Sequence, residues 1–173
     1  DNTLRENVGP LLTTEWHQGY PLNITSGIDY VGCYPIAACQ IMTFHEHPAS
    51  YYNWNNIKYN NYLYYNDAAE LIADFRSRGN AGDSSGMSDA QVQTALNSFE
   101  YTTSLEAHNE TRLYSHILDE KEPVCLIGYA TDPLFDGLQD GHAWVCDGVT
   151  YTEERYGYKI NWITYKNGGY VYE

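Results

Sequence analysis

Basic residues are scarce in this sequence. Nine lysines and arginines stand against 23 aspartates and glutamates, a formal net charge of −14. Nucleic acid and anionic bilayers are gripped by clustered lysine and arginine, so this balance argues against both as partners. Long apolar runs are missing too. None approaches the ~20 residues that cross a hydrocarbon core, and no membrane-spanning segment is expected. The opening residues, Asp1 to Asn7, are polar and lack the basic-then-apolar pattern of a secretory leader. An exported form would have shed its leader ahead of them. There is no C-x-x-C pair, which argues against zinc, and the four cysteines are too widely spaced for a dense disulfide framework. Repeats, low-complexity tails and linkers are absent as well, so residues 1–173 read as one domain with its own core.

What the sequence does hold is a globular composition, 43% hydrophobic, with 18 tyrosines. Many of these fall in residues 51–66, interleaved with asparagine. The plainer reading is a loop whose rings face the core; an adhesive outer surface is the other. Residues 8–23 read as an extended, turn-rich entry. Ile36, Ala37, Ile41 and Phe44 recur at helical spacing over residues 34–47, with Pro35 tolerated in the first turn and Pro48 as the stop. A second helix is expected over residues 67–78, ended by Gly79. Ser88 and Gln91 form a capping box for a third, and a short helix follows at residues 112–120. Strands are expected over residues 124–129, 142–149, 156–162 and 170–172. Helices first and antiparallel strands last make an α+β fold.

Chemistry concentrates where a turn meets the first helix, at Gly32-Cys33-Tyr34-Pro35-Ile36-Ala37-Ala38-Cys39. A helix N-terminus carries unpaired N–H groups and partial positive charge, so a thiolate at Cys33 is expected to be stabilised and its pKa lowered. Cys39, Cys125 and Cys146 read as small buried hydrophobes. A base is offered by His142, in Gly141-His142-Ala143-Trp144-Val145-Cys146-Asp147-Gly148. Asn161 follows on the next strand, where its amide oxygen can accept the imidazole N–H and Trp162 can cover that bond. Gln18 can donate its side-chain N–H to an oxyanion beside the Cys33 N–H. Each residue also has an ordinary structural role open to it: a buried thiol, a strand histidine, a turn asparagine, a loop glutamine. The other histidines (17, 45, 47, 108, 116) have no such companions, and the spacing of His45 and His47 points them apart.

Longer stretches carry a resemblance. They include Val8-Gly9-Pro10-Leu11-Leu12-Thr13-Thr14, Trp16-His17-Gln18-Gly19-Tyr20-Pro21-Leu22-Asn23, Gly32-Cys33, Ala37-Ala38-Cys39-Gln40-Ile41-Met42 and His47-Pro48. Further on come Tyr52-Asn53-Trp54-Asn55-Asn56-Ile57, Ser84-Ser85-Gly86, Val92-Gln93-Thr94-Ala95-Leu96, the segment around His142, and Asn161-Trp162. In this order they resemble the streptopain family of secreted bacterial cysteine peptidases, clan relatives of papain. The resemblance implies a papain-like fold in which the nucleophile helix packs on an antiparallel sheet. It implies Cys33 as nucleophile, His142 as base, Gln18 at the oxyanion, and Asn161 with Trp162 behind the histidine. Trp162, Gly141 and Gly32 would line the substrate site. It implies a protein or peptide substrate, no metal or other cofactor, and a precursor whose N-terminal propeptide is an autoinhibitor. A bacterial secreted or cell-surface location follows from the same likeness.

One departure stands out. The family continues Asn-Trp with Gly-Trp-Gly-Gly, a wall of the cleft; here Ile163-Thr164-Tyr165-Lys166-Asn167 intervenes before Gly168-Gly169. Two alternatives to a peptidase therefore stay open: an inactive or narrowed homologue that binds a peptide or protein, and a Cys–His amidase or acyl transferase.

Overall fold

The computed structural model describes residues 4–16, 27–28, 31–58, 65–82, 86–129, 141–152 and 155–161. Among them lie five helices and four strands: β1 (Leu4–Val8), α1 (Cys33–His45), α2 (Trp54–Lys58), α3 (Tyr65–Arg78), α4 (Asp89–Ser98), α5 (Glu110–Glu120), β2 (Val124–Tyr129), β3 (Gly141–Thr152) and β4 (Tyr156–Asn161). The mixture of helices with an antiparallel sheet is the expected α+β class.

The long strand β3 organises the sheet. Residues 141–146 pair with β2 and residues 149–152 with β1, while β4 pairs with residues 145–151. Since β4 shares pairing positions with both β1 and β2, those two strands lie end to end on one edge of β3 and β4 lies on the other. The two faces of β3 serve two cores, and an irregularity between Cys146 and Gly148 shifts the alternation along the strand. Ala143 and Val145 join the larger one, built on α1, α3 and α4; Cys146 and Val149 join a smaller one with Val8 and with Leu113 and Ile117 of α5. The sheet is thus covered by α1 on one face and α5 on the other.

Two elements were not foreseen. β1 forms within the polar opening segment, since strand pairing needs only backbone partners and β3 extends to Thr152 to supply them. Within the tyrosine-rich stretch, α2 is nucleated by burial of Trp54 and Ile57, and Trp54 Nε1 donates to the Pro48 carbonyl at 2.9 Å. The foreseen helices shift at their ends. α1 begins on Cys33 and closes at Glu46, in the left-handed region at φ 50, ahead of Pro48. Asn80, not Gly79, adopts the left-handed conformation after α3. The capping box of α4 is present, with Ser88 N donating to Gln91 Oε1 at 2.9 Å and Gln91 N to Ser88 Oγ at 3.2 Å. Asn109 caps α5, which therefore starts earlier than expected. The strand expected at residues 170–172 lies outside the described residues.

Asp147 ties the entry segment to the sheet. Its backbone carbonyl accepts from Leu11 N at 2.8 Å and its Oδ2 from Leu12 N at 3.3 Å. The side chain is buried, and burial pushes its pKa above the usual 3.8; the N–H groups of Leu12 and Asp147 and the charge of Lys159 oppose this without overturning it. A carboxyl whose folded pKa is raised favours folding most below its unfolded pKa, and that contribution is lost as pH rises through the folded pKa. Asp147→Asn keeps an acceptor for Leu12 and removes the titration. The melting temperature of Asp147→Asn relative to wild type is expected to be higher at pH 7 than at pH 3.5 by a few degrees. Calorimetry at the two pH values checks this; an unchanged difference would contradict it.

Candidate active site

Helix α1 runs through the core almost entirely enclosed, with Ile36, Ala37, Cys39 and Met42 at 0% exposure. Burial and alanine content make it a rigid platform despite its lack of a side-chain cap. It starts at Gly32, whose φ of 91 and ψ of 147 belong to glycine territory. Any other residue there would be strained, and the chain would enter the helix at a different angle. Ile36 N closes the first helical bond onto the Gly32 carbonyl at 3.4 Å. Tyr34, just past the thiol, reaches Asp89 at the start of α4, its hydroxyl donating to Oδ1 at 2.9 Å.

This geometry brings Cys33 against β3. The N–H of Ala143 donates to Cys33 Sγ at 3.4 Å. That nitrogen belongs to the peptide joining His142 to Ala143, so the thiol rests on the backbone of the expected base although the two residues are 142 − 33 = 109 positions apart in sequence. The His142 ring stacks on Trp144, centroids 6.0 Å apart and planes 21° from parallel, and its Nε2 is buried. Gly128 pairs with His142 across β2 and β3. A Cβ at Gly128 would come within 2.7 Å of Trp144 Cη2, so the missing side chain makes room for the ring on which His142 rests.

The expected fall in the Cys33 pKa is not what the structure gives. Cys33 is half-buried, and burial pushes its thiol above 9.0; the N–H groups of Ala143, Tyr34 and Cys33 itself pull it down only in part. The helix terminus does supply donors, as anticipated, but desolvation outweighs them. The other thiols are held protonated more firmly. Burial raises Cys39 well above the usual range, Cys125 to about 12 and Cys146 to about 11. All four cysteines are free; Cys39 and Cys146 are fully buried as expected, whereas Cys125 is only half-buried.

Of the remaining expected site residues, Gly32 stands directly before Cys33 and Gly141 directly before His142. Asn161 is the last residue of β4 and pairs with Val145, the third residue after His142 on the adjoining strand. Its side chain, and the whole of Gln18 and Trp162, lie outside the described residues. The approach to Gln18 is anchored, however: Trp16 is buried, and its backbone N–H donates to Gln40 Oε1 on α1 at 3.2 Å. Gln40 is two helical turns from Cys33, about 10 Å along the axis. Reasoning from sequence singled out neither the Ala143 N–H nor Gln40, Asp147 and Gly128 as parts of this framework. For the last three the signal was there: a polar residue within an apolar helix, a charge within a strand, and a glycine in an otherwise apolar strand.

An open cavity of about 530 Å³, lined by Gly27, Ile28, Arg76, Ser77, Asn80 and Gly82 among others, includes neither Cys33 nor His142. Among the described residues no cluster of three or more His, Cys, Asp or Glu side chains is arranged to hold a metal, and no helix is long and apolar enough to cross a membrane. Compared with known proteins, the chain matches no family model and no curated protein sequence.

Proposed function

We propose that this chain is a cysteine endopeptidase with a papain-like fold, as its resemblance to the streptopain family implies. The observation that carries the reading is the contact between Cys33 Sγ and the His142–Ala143 peptide, which joins the N-terminus of a buried helix to the one histidine on β3. In this reading His142 takes the proton of Cys33 and the thiolate attacks the scissile carbonyl. The resulting oxyanion is held by the Cys33 N–H and the Gln18 side chain. The tetrahedral intermediate collapses to an acyl-thioester as His142 hands its proton to the leaving amine. His142 then draws a proton from water, hydroxide attacks the thioester, and the acid product leaves with the thiol restored. Asn161 orients the imidazole, Trp162 shields that bond, and Gly32 and Gly141 leave room for substrate backbone. No metal or other cofactor takes part in these steps. The protein is then a bacterial secreted or cell-surface enzyme made with an inhibitory N-terminal propeptide.

Two observations favour a second reading, a homologue that binds peptide without cutting it: the altered sequence after Trp162 and the raised pKa of Cys33. A peptidyl epoxide directed at thiols separates the two. We expect stoichiometric labelling at Cys33, located by peptide mapping, together with release of peptides from casein. Labelling at no cysteine, with casein intact, would leave the binding reading. Release of product from peptidoglycan with casein intact would favour an amidase.

A further inference from the structure

Among the described residues Arg76 is the sole buried cation, 2% exposed in the last turn of α3. A guanidinium withdrawn from water is costly to hold unless its donors are met. Here Nη1 donates to the Val31 carbonyl at 2.8 Å and Nη2 to the Gly82 carbonyl. The first of these bonds falls at a sensitive place. The Val31 carbonyl and the Gly32 N–H share one peptide plane, and Gly32 is the residue at φ 91 from which Cys33 and α1 depart. Arg76 Nη1 also lies 3.6 Å from where a Gly32 Cβ would stand. The arginine is itself fixed, because Leu71, Ile72 and Phe75 of the same helix are at 0% exposure. A planar fork mounted on a rigid helix therefore sets the peptide that aims the nucleophile.

We propose that Arg76 is a positioning residue for Cys33: by clamping the Val31 and Gly82 carbonyls it holds the turn that places the thiol on the His142–Ala143 peptide. The proposal rests on the thiol-peptidase reading. Arg76 acts through the backbone, since the groups that pull on the Cys33 thiol are the N–H groups of Ala143, Tyr34 and Cys33. Lysine cannot replace it, because a single ammonium does not reproduce a fork that spans two carbonyls.

The test compares wild type with Arg76→Lys by the pH dependence of Cys33 alkylation with iodoacetamide and by kcat and KM on a casein-derived peptide. We expect alkylation at pH 7 to slow about tenfold and kcat to fall about tenfold or more, with KM changed less than about twofold, as misplacement of a reacting group produces. An Arg76→Lys protein with wild-type alkylation profile and kcat overturns the proposal. Should that variant fail to fold, the wild-type protein labelled with ¹⁵N-arginine decides. Carbamidomethylation of Cys33 is expected to shift the Arg76 guanidinium signals, and unchanged signals overturn the coupling. Alkylation reads Cys33 without hydrolysis. A wild type that is alkylated but cuts no peptide therefore fails the peptidase reading alone, whereas an indifferent Arg76→Lys fails this inference alone.

Discussion

Cys33→Ala is expected to abolish peptide hydrolysis, a loss of at least about 10⁴-fold in kcat, while leaving the fold intact. The structure favours so clean a separation. Cys33 is half-buried at the first position of α1, where the first turn needs no side-chain cap to form. Alanine creates no clash there and suits a helix better than cysteine does. The loss is the weak bond from Ala143 N to sulfur, worth about 1 kcal/mol or less, with the smaller pull of the first-turn N–H groups and the contact of a half-buried thiol with the core. The neighbouring thiols offer no substitute. Cys39 and Cys146 are fully buried, and burial raises Cys125 to about 12, so none forms appreciable thiolate near neutral pH. In the same variant, iodoacetamide at pH 7 should find no reactive thiol in the folded protein. Residual hydrolysis within tenfold of wild type, or persistent rapid alkylation, would show that Cys33 is not the nucleophile.

How much of this was legible before the fold was known depends on what each residue has to do. Helix α1 announces itself, because small and apolar residues recur at helical spacing between Gly32 and Pro48, and Ser88 with Gln91 writes the start of α4 into four consecutive residues. Position alone, however, misled on the acidity of Cys33. Sequence shows that a thiol stands at a helix start, but not how much of the core closes over it, and burial proved the larger influence. The polar framework was harder still. Gln40, Arg76 and Asp147 work through partners 24, 45 and 135 residues away, and no local periodicity encodes such pairs. Their common mark is a polar side chain where the pattern calls for an apolar one. β1 carries no mark at all, since its membership of the sheet is conferred by the far end of β3.

His142→Ala is the sharper test of how the site is activated, because the thiol is not acidic on its own. Burial holds the Cys33 thiol above the ordinary thiol range, so on its own it stays protonated at neutral pH. Three backbone N–H groups already pull it down, and burial still prevails, so a catalytic thiolate at neutral pH needs a further source of stabilisation. On the proposed reading an imidazolium supplies it: the proton that leaves Cys33 moves to the ring adjoining the peptide on which the sulfur rests. Thiolate and imidazolium then stabilise each other, and the two groups titrate as a pair. For wild type, the proposal predicts rapid alkylation of Cys33 well below pH 9 and a bell-shaped dependence of kcat/KM on pH. Activity appears as the pair loses its first proton and disappears as it loses the second. Without the ring, the sign is fixed by burial. Alkylation of His142→Ala should rise only at alkaline pH, its rate at pH 7 falling about a hundredfold, and kcat/KM should drop about a thousandfold with loss of the acid–base group. The Trp144 ring loses a stacking partner, so the melting temperature should fall by a few degrees without loss of cooperative unfolding. If the alkylation profile of His142→Ala instead overlies that of wild type, the imidazole has no hold on the thiol, and the contact between Cys33 and the His142–Ala143 peptide is packing alone.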